Sequence, residues 1–153
     1  LVWIPILSSM HFYWIHRLLH WQPLYRRVHA LHHRNLNIGP WSGMSMHPVE
    51  SFGYMSALLL HFVIPTHPIF FLWHVYTKAI GPSFSHAGFE KVLLKDENGI
   101  NAGDFHHQLH HRFFECNYGT LEMPWDKWFG SFHDGTDASD ERIKERRRRM
   151  HQV

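Results

Sequence analysis

Cysteine is almost absent: Cys116 stands alone among 153 residues. One thiol cannot form an intrachain disulfide and cannot by itself build a thiolate zinc site. Any metal bound here must therefore take nitrogen and oxygen ligands. Charge is scarce too, with 18% Asp, Glu, Lys and Arg and a formal net charge of +2. So small an excess gives no reason to expect nucleic acid as a partner. The apolar start carries neither a basic n-region nor a small-residue cleavage site, which argues against a signal peptide. The chain contains no G-x-G-x-x-G for a dinucleotide and no H-E-x-x-H, and no repeat of solenoid period. It begins at Leu1 and not at Met, and reads as an N-terminally truncated piece of a longer protein whose upstream membrane helices are missing.

What is abundant is apolar surface and imidazole. Hydrophobic residues make up 44% of the chain, with 12 Phe, 7 Trp and 5 Tyr, and 17 residues are histidine. That apolar content excludes a disordered chain. The length suits one domain, so residues 1–153 are read as a single unit.

Residues 1–15 are apolar and uncharged, long enough for the end of a membrane helix but short for a complete span. Residues 16–34 are basic, aromatic and His-rich, and Pro23 is expected to divide them into two helical pieces. A Gly-, Ser-, Asn- and Pro-rich loop follows to Glu50. Between Glu50 and Lys78 lie 27 residues without a single Asp, Glu, Lys or Arg. As one helix they would reach about 40 Å, beyond a bilayer core of about 30 Å. Pro65 and Pro68 instead favour two shorter helices, roughly 51–63 and 68–80. The expectation is an all-α fold: a membrane-embedded helical hairpin beside a cytoplasmic, helical, His-rich di-metal domain. The alternative is a buried hairpin of a soluble protein. Further on, Glu97-Asn98-Gly99 and Ala102-Gly103-Asp104 are turn signals, with Asp104 a candidate N-cap for another His-rich helix. Residues 137–153 form a charged, basic tail, read as a solvated helix end or as a segment lying against anionic headgroups.

The histidines are grouped. His16 and His20 make HxxxH. His29, His32 and His33 make HxxHH, and His107, His110 and His111 make a second HxxHH preceded by His106. On a helix, positions i, i+3 and i+4 share a face, so each HxxHH is expected to present three rings in one direction. This is too many nitrogens for one four-coordinate zinc and suits two metals. Imidazole binds iron, zinc, copper and nickel alike, so ligand type narrows the metal without naming it. His11, His61, His67, His74, His133 and His151 stand singly and are read as ordinary core or surface residues.

With HRLLH at 16–20, HALHH at 29–33 and HQLHH at 107–111, the sequence resembles the fatty acid hydroxylase / sterol desaturase superfamily of integral membrane di-iron oxygenases. Further matching pieces are HPVE at His47–Glu50, SHAGFE at Ser85–Glu90 and CNYGTLEMPWDKWFGS at Cys116–Ser131. The resemblance covers about residues 10–135, the motif-bearing core, and leans to the sterol-desaturase-like branch. It implies nine metal ligands: His16, His20, His29, His32, His33, His86, His107, His110 and His111. Members acting on fatty acyl chains carry another His four residues after the position of His86. Glu90 stands there in this chain, a candidate ligand or an acceptor orienting an imidazole. His106 and His47 are further candidates.

The resemblance implies an oxidoreductase that uses O2 to hydroxylate or desaturate a membrane lipid, a sterol or a fatty acyl chain. The cofactors would be two iron ions, with zinc a possible substitute in purified material. Electrons would come from an external cytochrome b-type protein, ferredoxin or reductase, because this chain has no nucleotide fingerprint. The protein would be integral to the membrane with its motifs facing the cytoplasm. Phe62, Phe70, Phe71 and Trp73 would line a lateral lipid path or face lipid, and Trp125 and Trp128 would be interfacial anchors or core. Two rivals remain: a zinc metallohydrolase, and a non-catalytic membrane protein that binds metal.

Overall fold

The computed structural model describes residues 2–87, 91–95, 98–101, 104–120 and 122–151. The first helix, α1, runs Trp3–Leu19 and tolerates Pro5 because that proline falls in its first turn, where no intrahelical N–H is lost. Trp21 is extended (ψ 128°), and α2 follows at Gln22–Arg27 with Pro23 in its first turn. Pro23 therefore opens a helix already broken at His20–Trp21; its fixed φ suits an N-terminal position. Residues His29–Arg34 then wind as a 3₁₀ turn.

The low-charge segment does break where its prolines fall. Helix α3 spans Pro48–Met55, a 3₁₀ turn Ser56–Leu59 leads into α4 at Leu60–Val63, and α5 runs Pro68–Ser85. Both α3 and α5 start at a His-Pro pair. His47 and His67 are extended, as residues before proline tend to be, and their rings accept from the backbone N–H of Val49 and Ile69. Among the described residues, no helix is long and apolar enough to cross a membrane. The expected membrane-embedded hairpin is thus corrected, and with it the integral-membrane placement with motifs facing the cytoplasm. The reason is local. The first half is cut into pieces of eight, four and four residues. The 18-residue α5 is diluted by His74, Thr77, Lys78 and two serines, and contains Pro82. Phe62 and Trp73 are well exposed, Phe70 barely so and Phe71 only partly.

A small antiparallel hairpin, β1 (Lys91–Lys95) with β2 (Asn98–Asn101), pairs Val92 with Ile100 and interrupts an otherwise all-α chain. Next come α6 (Asp104–Phe113), α7 (Trp125–Trp128) and α8 (Asp137–His151). The apolar core is small and aromatic: Tyr13 from α1, Tyr118 and Trp125, with Ile6 and Met123 against them. Trp125 belongs to this core, whereas Trp128 is exposed. The basic tail is anchored, since Ile143 is buried, His133 pairs with Asp140 at 2.9 Å, and Arg146 bonds the Gly130 carbonyl. Among the described residues eleven histidines are buried as well.

Candidate metal centre

All nine histidines of the motif series are brought together, in two groups. His16, His20, His29, His33 and His110 form the first, and His32, His86, His107 and His111 the second; within each group one ring nitrogen per residue lies within 4.8 Å of the others. Every member except His20 is buried, and His110 and His111 are fully so. Neither HxxHH presents three rings in one direction. His29 and His33, one turn apart, join the first group while His32 turns to the second; His107 and His111 join the second while His110 turns to the first. In the α-helix α6, rings at i and i+4 stay together because they differ by only about 40°, whereas those at i+3 and i+4 diverge by about 100°. His29–Arg34 is a 3₁₀ turn, and there the split follows from what packs around it. Each motif thus straddles two adjoining clusters, with His33 and His111 ring centroids 4.6 Å apart.

For five of the nine rings the outer nitrogen shows which tautomer is adopted. His16 Nδ1 donates to the Tyr118 carbonyl (2.7 Å), His110 Nδ1 to that of Cys116 (2.6 Å) and His86 Nδ1 to that of Pro82 (2.6 Å). His32 Nδ1 reaches the Ser45 carbonyl at 3.3 Å, and Glu50 Oε1 accepts from His29 Nδ1 at 2.8 Å. A carbonyl only accepts, so Nδ1 carries the proton and, in the neutral ring, Nε2 keeps its lone pair. Burial favours the neutral ring, holding His29 at about 3, His86 at about 4 and His111 at about 2, and taking His16, His20, His107 and His110 well below the ordinary imidazole value.

These lone pairs converge. In the first cluster the Nε2 atoms of His20, His29, His33 and His110 sit 3.0–3.2 Å apart across five pairs. With His29 and His110 acting only as acceptors, protons on His20 and His33 cannot satisfy every pair, but one cation satisfies all. In the second cluster His86, His107 and His111 stand 3.1–3.2 Å apart at Nε2. Two nitrogens about 2.1 Å from one ion lie about 3.0 Å apart at a right angle and about 3.4 Å apart at the tetrahedral angle. The observed spacing falls between the two, so the residues fit nitrogen-ligated ions at both clusters without naming the metal.

The other candidates lie elsewhere. His47 caps α3 and belongs to neither cluster, and His106 faces Asp126 at 3.6 Å outside both. Glu90 lies outside the described residues. None of His11, His61, His67, His74 and His133 joins a cluster. Two buried carboxylates that support the centre were not singled out from sequence. Glu50 holds His29, and burial lifts its carboxyl to about 7. Asp126 clasps the segment whose carbonyls hold His16 and His110, accepting from the backbone N–H groups of Tyr118 and Gly119. Both sit inside the motifs quoted above, HPVE and WDKWFGS, and a lone acid inside an apolar run was the available signal.

Close backbone packing completes the site. Gly43 approaches the end of α5 so nearly that a Cβ there would lie 2.1 Å from the Pro82 carbonyl oxygen, the acceptor for His86.

A helical chain that buries two adjoining all-imidazole clusters defines a protein class able to hold two metal ions. The sequence profile of the fatty acid hydroxylase family matches residues 1–131, and the chain belongs to that family. It is 34% identical over 128 residues to human lathosterol oxidase, covering 82% of this chain and 42% of the relative. It is 31% identical over 134 residues to the Delta(7)-sterol 5(6)-desaturase of Candida glabrata and 30% over 134 residues to that of Saccharomyces cerevisiae, covering 82% of this chain and 34% of each relative. The chain thus spans well under half the length of these relatives. No solved structure matches it.

Proposed function

We propose that this chain carries the metal centre of an O2-dependent oxidoreductase that hydroxylates or desaturates a lipid, with a sterol the favoured substrate class. The observation that carries the reading is the pair of adjoining, buried, all-nitrogen clusters built from nine histidines whose ring nitrogens converge. The favoured metal is iron in both sites, because an unactivated C–H bond requires a redox-active ion and side chains alone offer no such oxidant. When bound, two irons would supply the oxidising power that takes hydrogen from the substrate. The sterol class comes from the relatives, whose names describe oxidation of lathosterol and desaturation of Delta(7)-sterols.

The chain's own residues do the remaining work. His16, His20, His29, His33 and His110 would hold one ion, and His32, His86, His107 and His111 the other. Carbonyl and carboxylate acceptors on Nδ1 fix the tautomer of His16, His29, His32, His86 and His110, so the lone pairs of these five rings are left on Nε2 for an ion. Burial keeps the imidazoles neutral, the form that binds a metal. Electrons would be delivered by a separate carrier of cytochrome b, ferredoxin or reductase type.

Iron reconstitution followed by metal analysis and sterol oxidation tests this reading. Two irons per chain and oxidised sterol formed only with O2 and a reductant are the expected results. One zinc per chain with O2-independent activity would overturn it in favour of a metallohydrolase, and two metals with no turnover in the full-length parent would leave a metal-binding protein.

A further inference from the structure

Two of the five rings in the first cluster lean on the same short segment, Cys116–Gly119, and that segment is organised around one buried carboxylate. Asp126 Oδ2 accepts the Gly119 N–H at 2.8 Å, and the carbonyl at the other end of that same peptide group, Tyr118 O, accepts the His16 Nδ1 proton at 2.7 Å. Carboxylate, peptide and imidazole therefore form one continuous hydrogen-bonded line. We propose that Asp126 is a positioning residue for His16, acting through the Tyr118–Gly119 peptide, and that it strengthens metal binding at the first cluster alone. The inference rests on the reading that this cluster holds a metal ion.

The physical basis is cooperative polarisation. Negative charge at the N–H end of an amide shifts electron density toward its oxygen, and the oxygen then pulls harder on the next proton. A firmer acceptor on Nδ1 makes Nε2 a better donor to a metal and holds the ring's orientation. His29 has a carboxylate directly on its Nδ1, that of Glu50. For His16 the same influence would be relayed across one peptide.

The carboxylate is held where this requires. Its Oδ1 accepts from the Tyr118 N–H at 2.9 Å and from Ser131 Oγ at 2.7 Å. Ser131 in turn meets the Tyr13 hydroxyl, which accepts from Arg17 on the helix that carries His16. Asp126 is only 3% exposed, and a Cβ on Gly119 would come within 3.0 Å of Oδ2, so the line has no slack. The second cluster leans on other groups, the carbonyls of Pro82 and Ser45. Asp126 also faces His106, the neighbour of His107, at 3.6 Å, but none of its hydrogen bonds reaches those two carbonyls.

Anaerobic cobalt(II) titration followed by visible absorption tests the proposal without any turnover. The parent chain should take up two cobalt ions, and His86→Ala should isolate the first cluster's band. Asp126→Asn presents a neutral amide whose NH2 group faces a backbone N–H. In both backgrounds it should weaken cobalt at the first cluster about 10–100-fold and shift its band, with the second within twofold of the parent. Unchanged affinity and spectrum, or equal weakening at both clusters, would overturn the proposal. Should the Asn variant not fold, Gly119→Ala retains the charge but presses Oδ2 off the N–H. A loss confined to the first cobalt then supports the proposal and an unaltered band refutes it. A parent that binds no cobalt would instead refute the metal-centre reading itself.

Discussion

Gly43→Ala is a one-carbon change that should cost this protein one of its two metals. The added Cβ would lie 2.1 Å from the Pro82 carbonyl oxygen, 2.5 Å from its carbon and 2.9 Å from His86 Nδ1, against 3.4 Å for ordinary contact. One backbone must therefore retreat from the other by on the order of 1 Å, about twice the tolerance of a working site of roughly 0.5 Å. The group displaced is the acceptor that holds His86 at 2.6 Å, so the ring loses its anchor. Overpacking of this kind costs about 1–3 kcal/mol, and each kcal/mol lowers the melting temperature of a chain this long by roughly 2–4 °C. Cobalt stoichiometry should fall from two to one with the first cluster's band retained, alongside a lowered melting temperature. Two cobalts bound with parental affinity and an unchanged melting temperature would refute the packing argument.

Other perturbations separate the parts of the centre. His110→Ala should empty the first cluster and His32→Ala the second, each measured by metal analysis, and both should abolish O2-dependent sterol oxidation. Glu50→Gln keeps the shape but removes the charge from His29, and should weaken metal binding at the first cluster about 10–100-fold in a competition titration. Lys78 tests a pH dependence away from the metals. Burial pushes its ammonium down from 10.5 to about 8, a difference worth about 3 kcal/mol before discounting its partial exposure. The contact with the Tyr54 ring, 4.5 Å from Nζ to the centroid, offsets part of this by about 1 kcal/mol. Because the folded value is the lower one, the parent gains stability as pH rises from 8 to 10.5 and loses it as pH falls through 8. Lys78→Met should thus be more stable than the parent by about 1–2 kcal/mol at pH 7, and the advantage should vanish above pH 10.5 in urea denaturation.

Much of the centre was legible because metal ligation imposes a spacing. HxxxH and HxxHH bring rings together over a single turn, so their spacing pointed to eight of the histidines that the structure gathers, and the ninth, His86, came only with the family resemblance. The helical break before Pro68 is also local, since proline acts on its own backbone and that of its neighbour, whereas the start of α3 at Pro48 reads as loop in the sequence. The partition of the rings was not local. Whether His32 joins His29 or His86 depends on where α5 ends and α6 lies, and no spacing within HALHH contains that information. The hydropathy of residues 51–77 misled for a related reason. The two prolines already divide the run, but a low-charge composition does not show that a 3₁₀ turn at Ser56–Leu59 cuts its first half again.

The sequence by itself determined the chemistry available here: many imidazole nitrogens, a single cysteine that cannot form an intrachain disulfide, and scarce charge. Only the tertiary structure decided which donors share an ion, which carbonyls and carboxylates orient them, and why Gly43 and Asp126 matter. Those are contacts between residues far apart in the chain, such as His16 with Tyr118 and Gly43 with Pro82. Their energies depend on distances of a few tenths of an ångström that come into being only when the helices pack.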